Sequence, residues 1–346
     1  MLEGRRSLPT HIAATVTPPQ RKTRRSWRIV RWFLLAILLF LLFIVSFAFL
    51  RPLALLWFAT QTHLFLNGIH SDYTTIPFAG HAKVRIHYYA GGSGSPIVLV
   101  HGLGSRADDW AGLMPQLVRD HHRVYALDLP GYGRSDWPDA AYSIAEETAA
   151  VEAFLDNRHL ARTDLAGWSM GGWLAMRVAL DQPQRIRRLV IFDSAGTRFP
   201  LTWDTALFEP DTPAKLAALD DLLMAARAPH IPAFIQRDVF RFVGRHAWVV
   251  KRNMNSMLTG TGLLDGQLGG LRMPMLIVWG KQDHLIPVSV GEQMHHAIPQ
   301  SEFEVFDGCG HLAPGQCARQ VGPVVKGFLD EPSPISGQQA EILKKP

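Results

Sequence analysis

The sequence predicts an α/β fold: a mainly parallel sheet with helices on both faces, a helical cap insertion, and a transmembrane helix ahead of both. Three observations carry this reading. Short apolar runs alternate with helix-forming stretches, the pattern of a parallel sheet covered on both sides. Between the run ending at Asp193 and the one starting near Met275 lie about eighty residues, where a strand-to-helix connection needs only a handful. Near the N-terminus, Phe33–Leu50 is a charge-free apolar segment of about eighteen residues. The chain has 346 residues and is 47% hydrophobic, enough for a sizeable core.

Residues 1–31 form a basic tail. Arg21, Lys22, Arg24, Arg25, Arg28 and Arg31 concentrate much of the net charge of +5 in one stretch. Such a run suits a nucleic-acid arm, but the apolar segment that follows argues against nucleic acid. Residues 32–52 read as a transmembrane signal anchor, with Trp27 and Trp32 suited to the interfacial zone. Basic residues precede the span, which places the N-terminus in the cytoplasm and everything from Pro52 onward on the exported side. A cleaved signal peptide is the alternative, given Thr23-Arg24-Arg25 and the small residues of Ser46-Phe47-Ala48; the long charged lead favours an uncleaved anchor. Residues 53–72 are a connector. Within it Leu53–Phe65 reads either as an amphipathic helix near the membrane surface or as a packing helix.

Residues 73–330 form the main domain. Tyr73–Phe78 and Val84–Tyr89 read as opening antiparallel strands around the turn at Ala79-Gly80. Pro96–Val100, Leu160–Ala166, Leu189–Phe192, Met275–Gly280 and Phe303–Phe306 read as further strands. Ala107–Arg119, Ser143–Asn157, Met170–Leu180 and Val288–Ala297 read as helices. The cap, at about 197–270, has helical stretches at Pro213–Arg227, Ile231–Val243 and Ala247–Leu258. Its apolar side chains, Phe199, Trp203, Phe242, Met254 and Met257 among them, read mostly as a small core of its own, with two or three facing substrate. Residues 331–346 are a polar tail.

The chemistry is concentrated in a few loops. In Gly167-Trp168-Ser169-Met170-Gly171-Gly172 a serine sits between a strand and a helix, with small residues leaving room for a very tight turn. His101-Gly102-Leu103-Gly104 follows another buried strand, and His101 reads as a brace for that turn. Asp283 and His311 lie on loops after later strands, and Asp193 is the rival acid. An imidazole can take the serine proton, and a buried carboxylate can hold its tautomer. Of the 15 histidines most are bystanders; His121, His122, His295 and His296 read as solvated. Cys309 and Cys317 flank His311 and are either bridged or unpaired thiols. No ligand spacing suggests a metal and no glycine loop a nucleotide, so neither metal nor cofactor is expected.

HGLGSRADDW (101–110), DLPGYGRS (128–135), GWSMGG (167–172), WGKQDHLIP (279–287) and GCGH (308–311) together resemble the α/β-hydrolase superfamily, from about Tyr73 to Leu329. The nearer likeness is to capped bacterial lipases and esterases and to membrane-anchored monoacylglycerol lipases. The resemblance implies a Ser169–Asp283–His311 triad, with the backbone N–H groups of Leu103 and Met170 as oxyanion donors. It implies hydrolysis of a carboxylic ester, an apolar small molecule or lipid, through an acyl-enzyme. Acyl transfer and hydrolysis of a carbon–carbon bond use the same triad, and a non-catalytic binding protein is disfavoured by the intact set. After His311 the segment Leu-Ala-Pro-Gly-Gln-Cys departs from relatives that carry an acidic residue there. Ser169 argues against the dehalogenases and epoxide hydrolases, which use aspartate.

The placement has a direct test. Full-length protein should stay with membranes through high salt and alkaline carbonate and leave only with detergent. Protease added from the exported side should digest the main domain and spare the N-terminal segment. A soluble mature protein starting near Phe49 would show a cleaved signal instead.

Overall fold

Side chains alternating along each strand build two cores, one on either face of a single sheet. The computed structural model describes residues 23–226 and 231–331. Among these the strands are β1 (Ile69–Phe78), β2 (His81–Gly91), β3 (Ser95–Val100), β4 (His122–Leu127), β5 (Thr163–Trp168), β6 (Ile186–Phe192), β7 (Met275–Gly280) and β8 (Ser301–Phe306). Their order in the sheet is β1-β2-β4-β3-β5-β6-β7-β8. β1, β2 and β4 pair antiparallel, and every pairing from β4 to β8 is parallel.

Val98, Val100, Leu165 and Ile191 point into one core, and Ile97, Leu99, Ala166 and Val190 into the other. Strands buried on both faces need apolar residues at every position, which is why these segments read as continuous runs. Helices α4 (Ile144–Asn157), α5 (Met170–Asp181) and α8 (Val288–Ala297) cover the first face. Helices α2 (Pro52–Leu66), α3 (Met114–Arg119) and α10 (Ala318–Asp330) send Leu64, Met114, Leu117, Val321 and Phe328 into the second. Ser143 and Glu146 form a reciprocal cap at the start of α4, satisfying two amides the helix would leave open.

The cap comprises α6 (Pro213–Leu223) and α7 (Ala233–Leu258). Two helices expected at 231–243 and 247–258 are one. Gly244 disfavours a helix by only about 1 kcal/mol, and the buried Val249, Val250, Asn253 and Met254 beyond it hold the continuation against the core. α2 is tied to this helix: Leu53 N–H donates to Asp238 Oδ2 at 3.1 Å, and Arg51 pairs with the same carboxylate at 3.4 Å. A short helix α9 (Ala313–Gln316) follows His311.

Other expectations change. His122 is buried rather than solvated, because it opens β4, and it lies 3.4 Å from Asp330. The expected helix at 107–119 is a 3-10 turn over Ala107–Gly112 followed by α3, with Pro115 in the first turn of α3.

The N-terminal unit is a separate helix, α1 (Thr23–Leu50), whose Trp27–Leu50 stretch is long and apolar enough to cross a membrane and is buried nowhere. Arg21 and Lys22 lie outside the described residues, as does nearly all of the polar tail.

One buried group makes stability depend on pH. Glu147 of α4 is fully buried and receives Asn253 Nδ2 of α7 at 3.4 Å. Burial, then the charge of Glu146, holds its carboxyl protonated well above the usual carboxylate range. The unfolded chain releases that proton near the ordinary value, so stability must fall as pH rises from about 4.5. Glu147→Gln should flatten this dependence. Thermal midpoints measured between about pH 5 and pH 9 should drop less in the variant than in the parent.

Candidate active site

The sheet changes direction of winding between β3 and β5: the chain leaves β3 toward β4, and leaves β5 toward β6. At such a switch point the loops beyond the two strands diverge and open a crevice at the carboxyl ends. The two Gly-rich loops meet there. Val100 pairs with Gly167 in register, so the 101–104 loop and the 168–172 turn emerge side by side.

Ser169 has φ 55 and ψ −121, a left-handed conformation that a serine adopts only under constraint. Its N–H donates to Phe192 O at 2.9 Å, and its carbonyl accepts from Gly172 and Ala195 at 3.0 and 3.1 Å. A Cβ at Gly171 would strike the Val100 carbonyl, so only glycine allows α5 to start so close to β3. The turn projects Ser169 from the end of β5 and leaves it 8% exposed. Met170 is the first residue of α5, so its N–H is one of the amides a helix start leaves without an intrahelical partner.

His101 is fully buried and braces its loop. Nδ1–H donates to Gly102 O at 2.8 Å, and Nε2 accepts the Leu129 N–H at 3.1 Å. Burial lowers its basicity, which keeps the ring neutral and suits it to this accepting role. Asp128 ties in the neighbouring loop, accepting Ala107 N–H at 2.7 Å, Arg134 N–H at 2.9 Å and His87 Nδ1–H at 2.6 Å.

Parallel pairing of Gly280 with Phe306 sets the next two loops side by side. A Cβ at Gly280 would hit the Gly310 carbonyl, so the loops touch through bare backbone. His311 Nδ1 lies 2.8 Å from Asp283 Oδ2, and Asp283 Oδ1 accepts the Leu285 and Ile286 N–H groups at 2.8 and 2.9 Å. With both carboxylate oxygens occupied by donors, Asp283 fixes the tautomer that leaves His311 Nε2 as the basic nitrogen. Two further restraints lie beyond what the motifs reveal, because their partners come from distant segments. Trp168 Nε1 donates to His311 O at 2.6 Å, and His311 N–H donates to Leu223 O of the cap at 2.9 Å. Cys309 and Cys317 are joined in a disulfide, with Cα atoms 6.1 Å apart, closing a short loop around His311.

Asp193 sits near this pair but has a different partner. It is fully buried, and its Oδ1 accepts the Gly280 N–H at 2.7 Å. Burial, then the charge of Asp283, pushes its carboxyl well above the usual range, which favours its neutral form. Asp283→Asn should therefore lower kcat/KM by about ten-thousandfold, through the wrong imidazole tautomer. Asp193→Asn preserves a neutral group of the same shape, and kcat/KM should fall by about tenfold or less. Initial rates on a soluble ester compare the two, and the reverse order would move the acid to Asp193.

Ser169 and Leu103 border two cavities of about 230 Å³ each. The first is also lined by Tyr132, Trp168, Phe242, Val243, Val250 and His311. The second is lined by Trp173, Phe199, Trp203, Met254, Met257 and Ile286. The single long α7 borders both spaces, with Phe242, Val243 and Val250 at the first and Met254 and Met257 at the second.

Comparison with known proteins agrees with this architecture. A family model for the alpha/beta hydrolase fold matches residues 95–315. A 2-hydroxy-6-oxo-2,4-heptadienoate hydrolase of Pseudomonas putida is 30% identical over 287 residues, covering 76% of this chain and 99% of the relative. A 2-hydroxymuconate semialdehyde hydrolase of a Pseudomonas species is 27% identical, covering 72% and 92%. The crystal structure of a bacterial membrane phospholipase A superposes with a TM-score of 0.71 at 25% identity, over 87% of this chain and 98% of that one. A putative lipase of Acinetobacter baumannii shares the fold, with a TM-score of 0.70 at 22% identity over 79% of this chain and 95% of that one. The sheet order, the turn at Ser169 and a family match over most of the chain lead to one assignment: this protein is a hydrolase of the α/β-hydrolase fold family.

Proposed function

We propose that the protein is a serine hydrolase of carboxylic esters with an apolar acyl part, acting through an acyl-enzyme. The observation that carries this reading is the His311–Asp283 pair, with His311 bordering the same mostly apolar cavity as Ser169. Ser169 Oγ attacks the ester carbonyl and passes its proton to His311 Nε2. The N–H groups of Leu103 and Met170 receive the charge that develops on the carbonyl oxygen. His311 then gives the proton to the departing alcohol, leaving Ser169 acylated. Water, deprotonated by the same imidazole, attacks the acyl group and restores the free serine as the acid departs.

Hydrolysis of a carbon–carbon bond is the second reading, favoured by the 30% identity to the heptadienoate hydrolase. Its named substrate is a carboxylate, and a buried anion needs a cationic or hydrogen-bonding partner. Among the described residues lining the two cavities, Arg198 is the one Lys or Arg. It is exposed and borders the second cavity, away from His311. The ester reading takes its support from the first cavity, which has no Lys or Arg beside His311, whereas Arg198 at the second is the cation that a carboxylate substrate would use.

The reading extends to placement: Trp27–Leu50 anchors the chain in a membrane, with the hydrolase domain on the exported side. The disulfide supports this, since such bonds persist in oxidising compartments.

Ser169→Ala and His311→Ala should each reduce ester turnover by about a millionfold, and the double variant should be scarcely worse, because the group acts as a unit. A fluorophosphonate probe should label the parent at Ser169 and leave Ser169→Ala unlabelled. Near-parental turnover in Ser169→Ala would overturn the assignment. Faster cleavage of a dienol diketone acid than of any ester would favour the second reading.

A further inference from the structure

The two cavities are not equivalent with respect to the chemistry. Ser169 and Leu103 border both, so a carbonyl held at the junction can extend a substituent into each. His311 borders the first alone. In the cycle proposed above, the imidazole must reach the oxygen of the leaving alcohol to protonate it. The leaving group therefore lies on the side of the first cavity. The acyl chain remains bonded to Ser169 after the alcohol departs and has the second cavity open to it.

The walls then describe both halves of the substrate. The second cavity presents Trp173, Phe199, Trp203, Met254 and Met257 to an acyl chain. The first presents Tyr132, Phe242, Val243, Val250 and Leu312 to the alcohol. Its Ser105 and Asp109 are already paired with each other at 2.6 Å, and its His246 has Nδ1 on Phe242 O at 3.0 Å and Nε2 buried. A small polar alcohol would leave this apolar wall facing water, whereas an alkyl or acyl-bearing alcohol would cover it. Helix α7 sets the division: Phe242, Val243 and Val250 face the first cavity, and Met254 and Met257 the second. At 1.5 Å per residue, Val243 and Met257 are about 21 Å apart along the helix, so the two compartments are separately adjustable.

We infer that the physiological substrate is an ester with a bulky apolar group on each side of the scissile carbonyl, the acyl half in the Trp203–Met257 cavity and the alcohol half in the Tyr132–Phe242 cavity. This rests on the ester-hydrolase reading. It separates lipids with a second chain on the alcohol side from monoacylglycerols and simple alkyl acetates.

Two series of esters test it on the full-length protein in detergent micelles. One holds the alcohol as methanol and lengthens the acid; the other holds the acid as acetate and lengthens the alcohol. kcat/KM should rise with chain length in both. Met257→Trp should lower the long-to-short ratio about tenfold in the acid series and leave that ratio in the alcohol series within about twofold. Val243→Trp should do the converse. Phe242→Ala, which enlarges the first cavity, should move the alcohol optimum to longer chains, and covers the case in which a tryptophan variant does not fold. A flat alcohol series beside a rising acid series would overturn the two-sided substrate while leaving the ester reading intact. Both tryptophan variants acting on the same series would overturn the assignment of halves to cavities. No turnover of any ester would overturn the ester reading and this inference with it.

Discussion

The backbone at Ser169 is held where a serine does not rest by choice, and much of the active-site crevice is arranged around that constraint. A left-handed residue between a strand and a helix is disfavoured by about 1–3 kcal/mol. Hydrogen bonds from both sides hold it: the Ser169 amide to Phe192 on β6, and its carbonyl from Gly172 and Ala195. The return is geometric. β5 and α5 reverse direction within one residue, so the side chain stands clear of the sheet and a helix N-terminus lies directly behind it. Gly171 and the bare backbone of β3 permit the close approach, which ties the turn to the central, doubly covered strands.

The other loops near the site are brought together by parallel register. Adjacent parallel strands end at the same edge, so the loops after β3, β5, β6, β7 and β8 converge, although they are far apart in the chain. Asp193 and Asp283 both arrive at this edge. The difference between them is one of partners. Asp283 has two amides and an imidazole to stabilise its charge, whereas Asp193 has the Gly280 amide and a neighbouring carboxylate that opposes ionisation. Two carboxyl groups of the same type thus meet opposite surroundings, and burial beside Asp283 pushes the Asp193 carboxyl up. The disulfide and the Trp168 indole then limit how far the His311 loop can move.

The cap is joined to the rest of the molecule through polar contacts as well as apolar ones. Asn253 reaches the buried Glu147, and Leu223 accepts the His311 amide. Asp238 receives the first turn of α2, the helix that begins two residues after the apolar N-terminal helix ends. α7 therefore contacts the core through one half, α2 through the other, and both cavities along its length. A change in how this helix sits would be felt in both cavities.

Much of this was legible in the sequence. The turn at Ser169, the loop at His101 and the strands around them are local: glycine spacing and apolar runs encode them within a few residues, and the physics that forms them acts over the same distance. The charge-free segment at Phe33–Leu50 is legible for the same reason, since composition and length alone make it membrane-favouring. The sequence also favoured Asp283 over Asp193 by its place in the motif order, without showing the surroundings of either carboxyl or whether the two cysteines are bridged. Only the tertiary structure decided those, because desolvation, pairing and disulfide formation depend on atoms brought together from positions far apart in the chain. The same holds for His122, a polar residue buried because β4 needed it at its start. It holds equally for α7, where packing against the core carried a helix across Gly244, and for the two cavities, which exist only where separate loops and the cap enclose space.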